Sequence, residues 1–162
     1  LTALRVRGIG DSGSYASVGM KVLERAAGHA SGPYRVPDID VECLAVRTNN
    51  PVCGAFRGFG ANQAQFAMEG VIDRLAEQVG ISGWEIRKRN VIHPGEVWGP
   101  GQVMDDGCAG AEACLDAIKP QFVSRRLGME GLQVIGEYGD VCERSVVGYP
   151  FDFTSIAFRN NR

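Results

Sequence analysis

Gly54-Ala55-Phe56-Arg57-Gly58-Phe59-Gly60, with Gln63 close behind and a long amphipathic stretch after it, decides the reading of this chain. Three glycines fall within seven residues. Lacking a Cβ, each lets backbone come close to a ligand. Between them stand two phenylalanines, which offer flat apolar faces, and one arginine, which offers a planar cation. That set suits a flat, polar, partly anionic ligand better than it suits a plain turn. A glycine-rich loop feeding a helix also aims unpaired backbone N–H groups at whatever lies at the helix start.

The helix is written in the residues that follow. Ala64, Met68, Val71, Ile72, Leu75 and Val79 form one apolar stripe, while Asp73, Arg74, Glu77 and Gln78 face away. Gly80 is a stop signal. The pattern predicts one helix over residues 62–80, with Met68, Ile72, Leu75 and Val79 buried and Asp73 and Glu77 exposed. Ser82-Gly83-Trp84-Glu85 has the capping-box form and opens a short helix to about Asn90.

Upstream, Leu4 and Val6 alternate with Arg5 and Arg7, the period-2 pattern of a half-buried strand, which the glycines at 8, 10 and 13 break. Residues 20–30 suit a short helix with Met20, Leu23 and Ala27 at helical spacing, ended by Gly32-Pro33. A second strand places Ile39, Val41, Cys43 and Ala45 on one face and Asp40 and Glu42 on the other. Asn49-Asn50-Pro51 reads as a turn and residues 93–107 as a loop. A further helix runs from about Cys108 to Ile118, with Ala111, Leu115 and Ile118 inward. No internal repeat is present, and the mixture of strands and helices predicts an α+β fold.

At 162 residues the chain can bury one real core, and 44% apolar with 22% charged residues is ordinary for a soluble protein. A net charge of −2 and a pI near 5.7 argue against a nucleic-acid partner, which would want a basic face. No apolar run approaches the length of a membrane span, and no signal peptide is visible, so a cytoplasmic location is expected. Leu1 is not a start methionine and the chain opens inside a strand, so a piece of a longer protein is expected. The five cysteines, Cys43, Cys53, Cys108, Cys114 and Cys142, are odd in number and include no C-x-x-C pair. Neither a disulfide framework nor a zinc site follows. With only His29 and His93 besides, no metal held directly by side chains is expected.

Further segments agree with the glycine loop in order and spacing. They are Leu4-Arg5-Val6-Arg7 running into Gly10-Asp11-Ser12-Gly13-Ser14-Tyr15, then Gly32-Pro33-Tyr34, Arg47-Thr48-Asn49-Asn50-Pro51, Ile86-Arg87-Lys88-Arg89-Asn90 and Pro94-Gly95. Together they resemble the molybdopterin-binding subunit of the xanthine dehydrogenase and aldehyde oxidase family, in particular its bacterial purine hydroxylases. The resemblance covers residues 1–122, read as a partial molybdopterin-binding domain, and stops after Phe122. Residues 123–162 form a tail without family resemblance, expected not to pack as the family's continuing strand beside residues 39–46. Leu132, Val134, Val146, Val147, Phe151, Phe153 and Phe158 make this tail too apolar for disorder by composition.

The resemblance implies a fragment of a molybdenum hydroxylase large subunit that oxidises hypoxanthine or xanthine, with water as the oxygen source. It implies a molybdenum–pterin cofactor, held through the pterin's own sulfurs, and iron–sulfur and flavin groups on partner domains or subunits. By the same token Ala55, Phe56, Arg57, Gly58 and Gly60 border the cofactor, and Phe59 stacks on the flat substrate. Arg25, 32 residues before Arg57, matches an arginine that contacts a purine and steadies charge developing on the ring. Its bland alternative is a surface arginine paired with Glu24 or Glu42. The family's catalytic glutamate lies in a later segment, so the isolated chain is expected to be inactive. Glu69 and Asp73 read as solvated or paired with Arg74 and Arg87, and His93 has no visible partner in the sequence.

Other readings come from different classes. One is a non-catalytic binding or structural module that keeps an aromatic-glycine pocket. Another is a dinucleotide-binding enzyme, because Gly8-Ile9-Gly10-Asp11-Ser12-Gly13 is formally G-x-G-x-x-G after a strand. Against it stand Pro37 near the second strand and two arginines in a first strand that should be apolar if buried and parallel. Arg57-Gly58-Phe59-Gly60 also matches the opening of an RNA-recognition strand motif, but it leads into a helix in an acidic chain.

Overall fold

The computed structural model describes residues 1–107, 110–128 and 151–155. The elements follow as β1 (Ala3–Asp11), α1 (Gly19–Gly28), β2 (Asp38–Val46), α2 (Ala61–Val79), α3 (Gly83–Asn90), α4 (Ala111–Gly128) and β3 (Phe151–Ser155). They make an α+β arrangement with a three-stranded sheet in the order β2-β1-β3. β1 and β2 are parallel and joined through α1. Leu4 and Val6 point into the core, while Arg5 pairs with Asp40 and Arg7 with Glu42 across the outer face. A parallel pair therefore carries arginines because one face is solvated and its cross-strand neighbours neutralise them.

That parallel β1-α1-β2 unit removes one objection to a dinucleotide site but supplies another. Gly8 and Gly10 lie inside β1 rather than in a turn, so the glycines do not break this strand as its composition suggests. Helix α1 opens only at Gly19, well past the motif. The motif therefore does not run directly from a strand-ending glycine turn into a helix, as a pyrophosphate site requires.

The core joins Leu4 and Val6 to Tyr34, Val36, Met68, Ile72, Leu75, Ala76 and Ile86. Helix α2 forms where the apolar stripe placed it, with Ile72 fully buried, and Asp73 and Glu77 are exposed. Val79 is 49% exposed, against the expectation. It is the last helical residue before the left-handed Gly80 turns the chain away. In α1 the buried residues are Leu23 and Ala26, whereas Met20 is 61% exposed and Ala27 only half-buried. The inward face thus runs through Gly19, Leu23 and Ala26, one position off the expected one. The helix also ends at Gly28, with His29 capping it, before Gly32-Pro33 is reached.

Ser82 caps α3 as expected, its hydroxyl accepting from the Glu85 N–H at 3.0 Å. Arg87 then ties α3 to α2. It bonds Glu69 through Nε at 2.8 Å and Asp73 at 2.6 Å, and Glu69 also accepts from the Tyr34 hydroxyl at 2.7 Å. The i,i+4 carboxylates of α2 are therefore bound by Arg87, and burial beside Glu69 pushes the Tyr34 phenol well above its usual range. Helix α4 runs to Gly128, well beyond Ile118 and through Pro120, and leaves Ile118 about half exposed. Contacts with α3 seat it: Lys88 reaches Glu112 and Asp116, and Trp84 donates to the Leu115 carbonyl. His93, which the sequence leaves without a partner, lies 3.1 Å from Glu112. Cys108 lies outside the described residues, as do Leu132, Val134, Val146, Val147 and Phe158.

The tail contributes one described strand. β3 pairs antiparallel with β1, on the edge away from β2, with a bulge between Arg5 and Arg7. Residues 151–155 of the tail thus join the sheet beside β1, and not beside residues 39–46.

Candidate functional site

Two segments meet at one pocket of about 100 Å³. One side is the end of β1 with the inner face of α1, through Gly10, Gly19, Val22 and Ala26. The other is the approach to α2, through Gly54, Phe56, Gly60 and Gln63. Asp11 and Cys53 bring polar groups to it. Glycine is needed at the first wall for space. A Cβ on Gly10 would come within 2.9 Å of Leu23, and one on Gly19 within 2.6 Å of the Ser12 Cβ.

The segment before the glycine loop is zipped onto the end of β1. Ser12 N–H and hydroxyl both donate to the Val46 carbonyl at 2.9 Å. Thr48 N–H donates to the Gly13 carbonyl, Ser14 N–H to the Asn50 carbonyl and Cys53 N–H to the Ser12 carbonyl. Asp11 fastens the same segment with its side chain. Its carboxylate accepts from the Gly13 N–H at 2.8 Å, from the Thr48 hydroxyl at 2.6 Å and from the Asn50 amide. These bonds, with Thr48 foremost, hold the Asp11 carboxyl below the usual carboxylate range.

Downstream the chain winds left-handed. Gly58, Phe59 and Gly60 have φ of +91°, +53° and +96°. Phe59 N–H donates to the Phe56 carbonyl at 2.8 Å and Ala61 N–H to the Gly58 carbonyl at 3.0 Å. Gly58 and Gly60 approach the protein itself closely. A Cβ on Gly60 would lie 2.2 Å from the Val22 carbonyl oxygen, and one on Gly58 about 2.4 Å from the Asn62 amide. Gly54 is the glycine of this loop with open space before it, with no atom within 4 Å of a Cβ there.

Of the residues predicted for the site, the structure brings Phe56 and Gly60 to the pocket. Ala55, Arg57 and Gly58 stand exposed on the same loop, and Phe59 is half-buried within it. Phe56 is 81% exposed. Arg25 is exposed on α1, one turn beyond the pocket residue Val22, and is not among the pocket's lining. Both partners of its bland alternative are taken, Glu24 by Lys21 and Glu42 by Arg7. Among the described residues the Arg25 and Arg57 side chains make no hydrogen bond or ion pair.

The loop's donors fit an anionic group. Among the described residues the backbone N–H groups of Gly54, Ala55, Phe56 and Arg57 have no protein acceptor. They precede the N-terminus of α2, where the helix dipole favours negative charge. The Arg57 guanidinium, without a partner among the described residues, adds to these donors, and two phenyl rings and an open glycine face give apolar surface for a flat ligand rich in anionic oxygens. No group of three or more His, Cys, Asp or Glu side chains able to hold a metal directly is found among the described residues. No helix of the described residues is long and apolar enough to cross a membrane.

Sequence reading missed Asp11, Cys53 and Gln63. The spacing of Asp11 from Thr48 and Asn50 carries no local signal, because the parallel pairing of β1 with β2 is what brings them together. Gln63 stands beside the loop in the sequence, but only the pocket gives it a role.

A molybdopterin cofactor-binding domain matches residues 1–91. A probable xanthine dehydrogenase subunit of Bacillus subtilis is 43% identical over 126 residues, covering 78% of this chain and 17% of that protein. The nicotinate dehydrogenase large molybdopterin subunit of Eubacterium barkeri is 43% identical over 106 residues, covering 65% of this chain and 25% of that protein. Among solved structures, the aldehyde oxidoreductase of Desulfovibrio gigas superposes with a TM-score of 0.75 at 29% identity, covering 82% of this chain and 15% of that one. The chain thus spans a quarter or less of the length of these relatives.

Proposed function

Because this chain belongs to the molybdopterin cofactor-binding domain family, among the xanthine dehydrogenase and aldehyde oxidase relatives, we propose that it forms one wall of the active site of a molybdenum hydroxylase that oxidises purines. When bound, the molybdenum–pterin group supplies a two-electron oxidation in which water provides the oxygen added to a ring carbon beside nitrogen. The chain's own residues bind and orient. Arg57, Phe56 and the backbone of Ala55, Gly58 and Gly60 border the cofactor, and the open face of Gly54 admits it. Phe59 presents its ring to the flat substrate, where offset stacking contributes about 0.5–1.5 kcal/mol beyond area burial.

Arg25 carries the purine assignment. What supports it is a guanidinium without a partner among the described residues, on the helix whose Val22 and Ala26 line the pocket, while Glu24 and Glu42 are engaged elsewhere. Such a donor matters most as negative charge develops on a ring oxygen. The remainder of the subunit supplies the catalytic glutamate, and iron–sulfur and flavin groups on partner domains or subunits accept the electrons. The assembly works in the cytoplasm.

Steady-state kinetics of Arg25→Ala, in a complete subunit carrying this segment, test the assignment with a purine and an aromatic aldehyde as substrates. The rate on the purine falls more than binding weakens, and the aldehyde is little affected. Equal losses on both substrates would make Arg25 structural and remove the purine assignment. Molybdenum analysis of the purified protein separates the enzyme reading from a non-catalytic module, which would retain none.

A further inference from the structure

Helix α2 opens with an asparagine whose side chain is turned back onto the loop. Asn62 Nδ2 donates to the Arg57 carbonyl at 3.1 Å. The Asn62 amide fills the space that a Cβ on residue 58 would need, at about 2.4 Å. The donor must be the amide nitrogen, since only it can bond a carbonyl. Three consecutive left-handed residues, Gly58, Phe59 and Gly60, lie between the two ends of this strap. The loop's other bonds, Phe59 to Phe56 and Ala61 to Gly58, each close a single turn. Asn62 alone, among the described residues, ties the loop to the body of the helix by a side chain.

We infer that Asn62 is a positioning residue: its side-chain amide holds the Arg57 carbonyl and thereby fixes the left-handed turn that presents the Arg57 guanidinium and the Phe59 ring. The consequence for cofactor and substrate rests on the reading of residues 54–60 as the cofactor loop, whereas the strap itself does not. Asn62 is the second residue of α2, and the first turn of that helix holds no acidic side chain. An aspartate there suits the helix dipole and leaves or improves helix stability. It cannot donate, however, and its charge repels the Arg57 carbonyl. Helix stability and loop position are therefore driven in opposite directions by one isosteric change.

The experiment compares wild type, Asn62→Asp and Asn62→Ala by trypsin cleavage at Arg57–Gly58, thermal unfolding and molybdenum retained after loading with the molybdenum–pterin cofactor. Cleavage needs the turn to open locally, so losing the strap accelerates it by about tenfold in both variants. The melting temperature of Asn62→Asp stays level or rises, and its molybdenum retention falls by about the same factor as cleavage accelerates. Unchanged cleavage in both variants overturns the positioning role. Faster cleavage with a matching fall in melting temperature in both variants also overturns it, because that is loss of helix rather than of position. If wild type retains no molybdenum, the cofactor reading fails and the cleavage comparison still decides the strap. If Asn62→Asp does not fold, Asn62→Ala decides it.

Discussion

Helix α2 carries a left-handed glycine at each end, and the two should respond very differently to alanine. Gly60 has φ +96° and Gly80 φ +72°. Forcing a side chain into that region costs about 1–2 kcal/mol at either position. Space separates them. A Cβ on Gly60 would lie 2.2 Å from the Val22 carbonyl oxygen and 3.1 Å from the Val22 Cγ1, whereas a Cβ on Gly80 meets nothing within 4 Å. The first contact is far inside van der Waals distance and its partner is backbone in α1, so α1 and α2 must separate. Overpacking of this kind adds about 1–3 kcal/mol. Gly60→Ala should therefore destabilise by about 2–5 kcal/mol and Gly80→Ala by about 1–2 kcal/mol. Against a total stability of about 5–15 kcal/mol, the first is severe and the second mild. Urea unfolding of both variants at a common m-value reads the difference directly. Equal losses, or a larger loss at Gly80, would show that α1 does not press on the start of α2 as described, and the pocket between them would lose its geometry.

Gly54→Ala removes no contact and meets no atom, at a backbone angle outside the left-handed range. It should leave stability unchanged or raise it by about 0.4–1 kcal/mol while lowering molybdenum retention; unchanged retention would show that the cofactor does not approach there. Asp11 gives a pH signature. Its carboxyl is held below the usual range by Thr48, Asn50 and Gly13, so the bonds that fasten residues 48–50 are complete above the ordinary carboxylate range and lost as pH falls through the lowered value. Protection of the Ser14 and Thr48 amides, taken relative to the intrinsic exchange rate at each pH, should fall on acidification in wild type and be low at every pH in Asp11→Ala, and identical protection profiles would refute the clamp.

The parts of the fold legible in the sequence were those with period and punctuation together. Helix α2 combines an unbroken stripe with glycine at both ends, and α3 has its capping box. Faces were less legible than elements. Val79 lies in the stripe but at the terminal turn, and it is half exposed there. In α1 the expected face through Met20 is displaced because Gly19 packs against Ser12, a contact between elements that no window of α1 contains. The glycine loop was legible as a site-like composition, yet two of its glycines serve the protein's own packing. Gly58 accommodates Asn62 and Gly60 accommodates Val22, and within the loop only Gly54 leaves an open face. Asp11, the residue that fastens the loop's approach, becomes visible only with the pairing of β1 and β2.

Phe59 is where stability and composition disagree, and the disagreement has a direction. It takes φ +53° between two glycines that already occupy left-handed conformations. Glycine at 59 would relieve about 1–2 kcal/mol of strain, and asparagine tolerates the same region better than a phenylalanine does. The ring is only half-buried, and Phe56 beside it is almost fully exposed, so neither side chain makes good that strain by full burial in the core. An observed backbone outlier of this kind leads to a hypothesis of function for the ring. The same turn leaves the Arg57 guanidinium exposed, with no protein anion to receive it among the described residues. A flat ring and a planar cation, held out by a turn that costs the fold free energy, are what a flat anionic cofactor and a heteroaromatic substrate would each require of this wall.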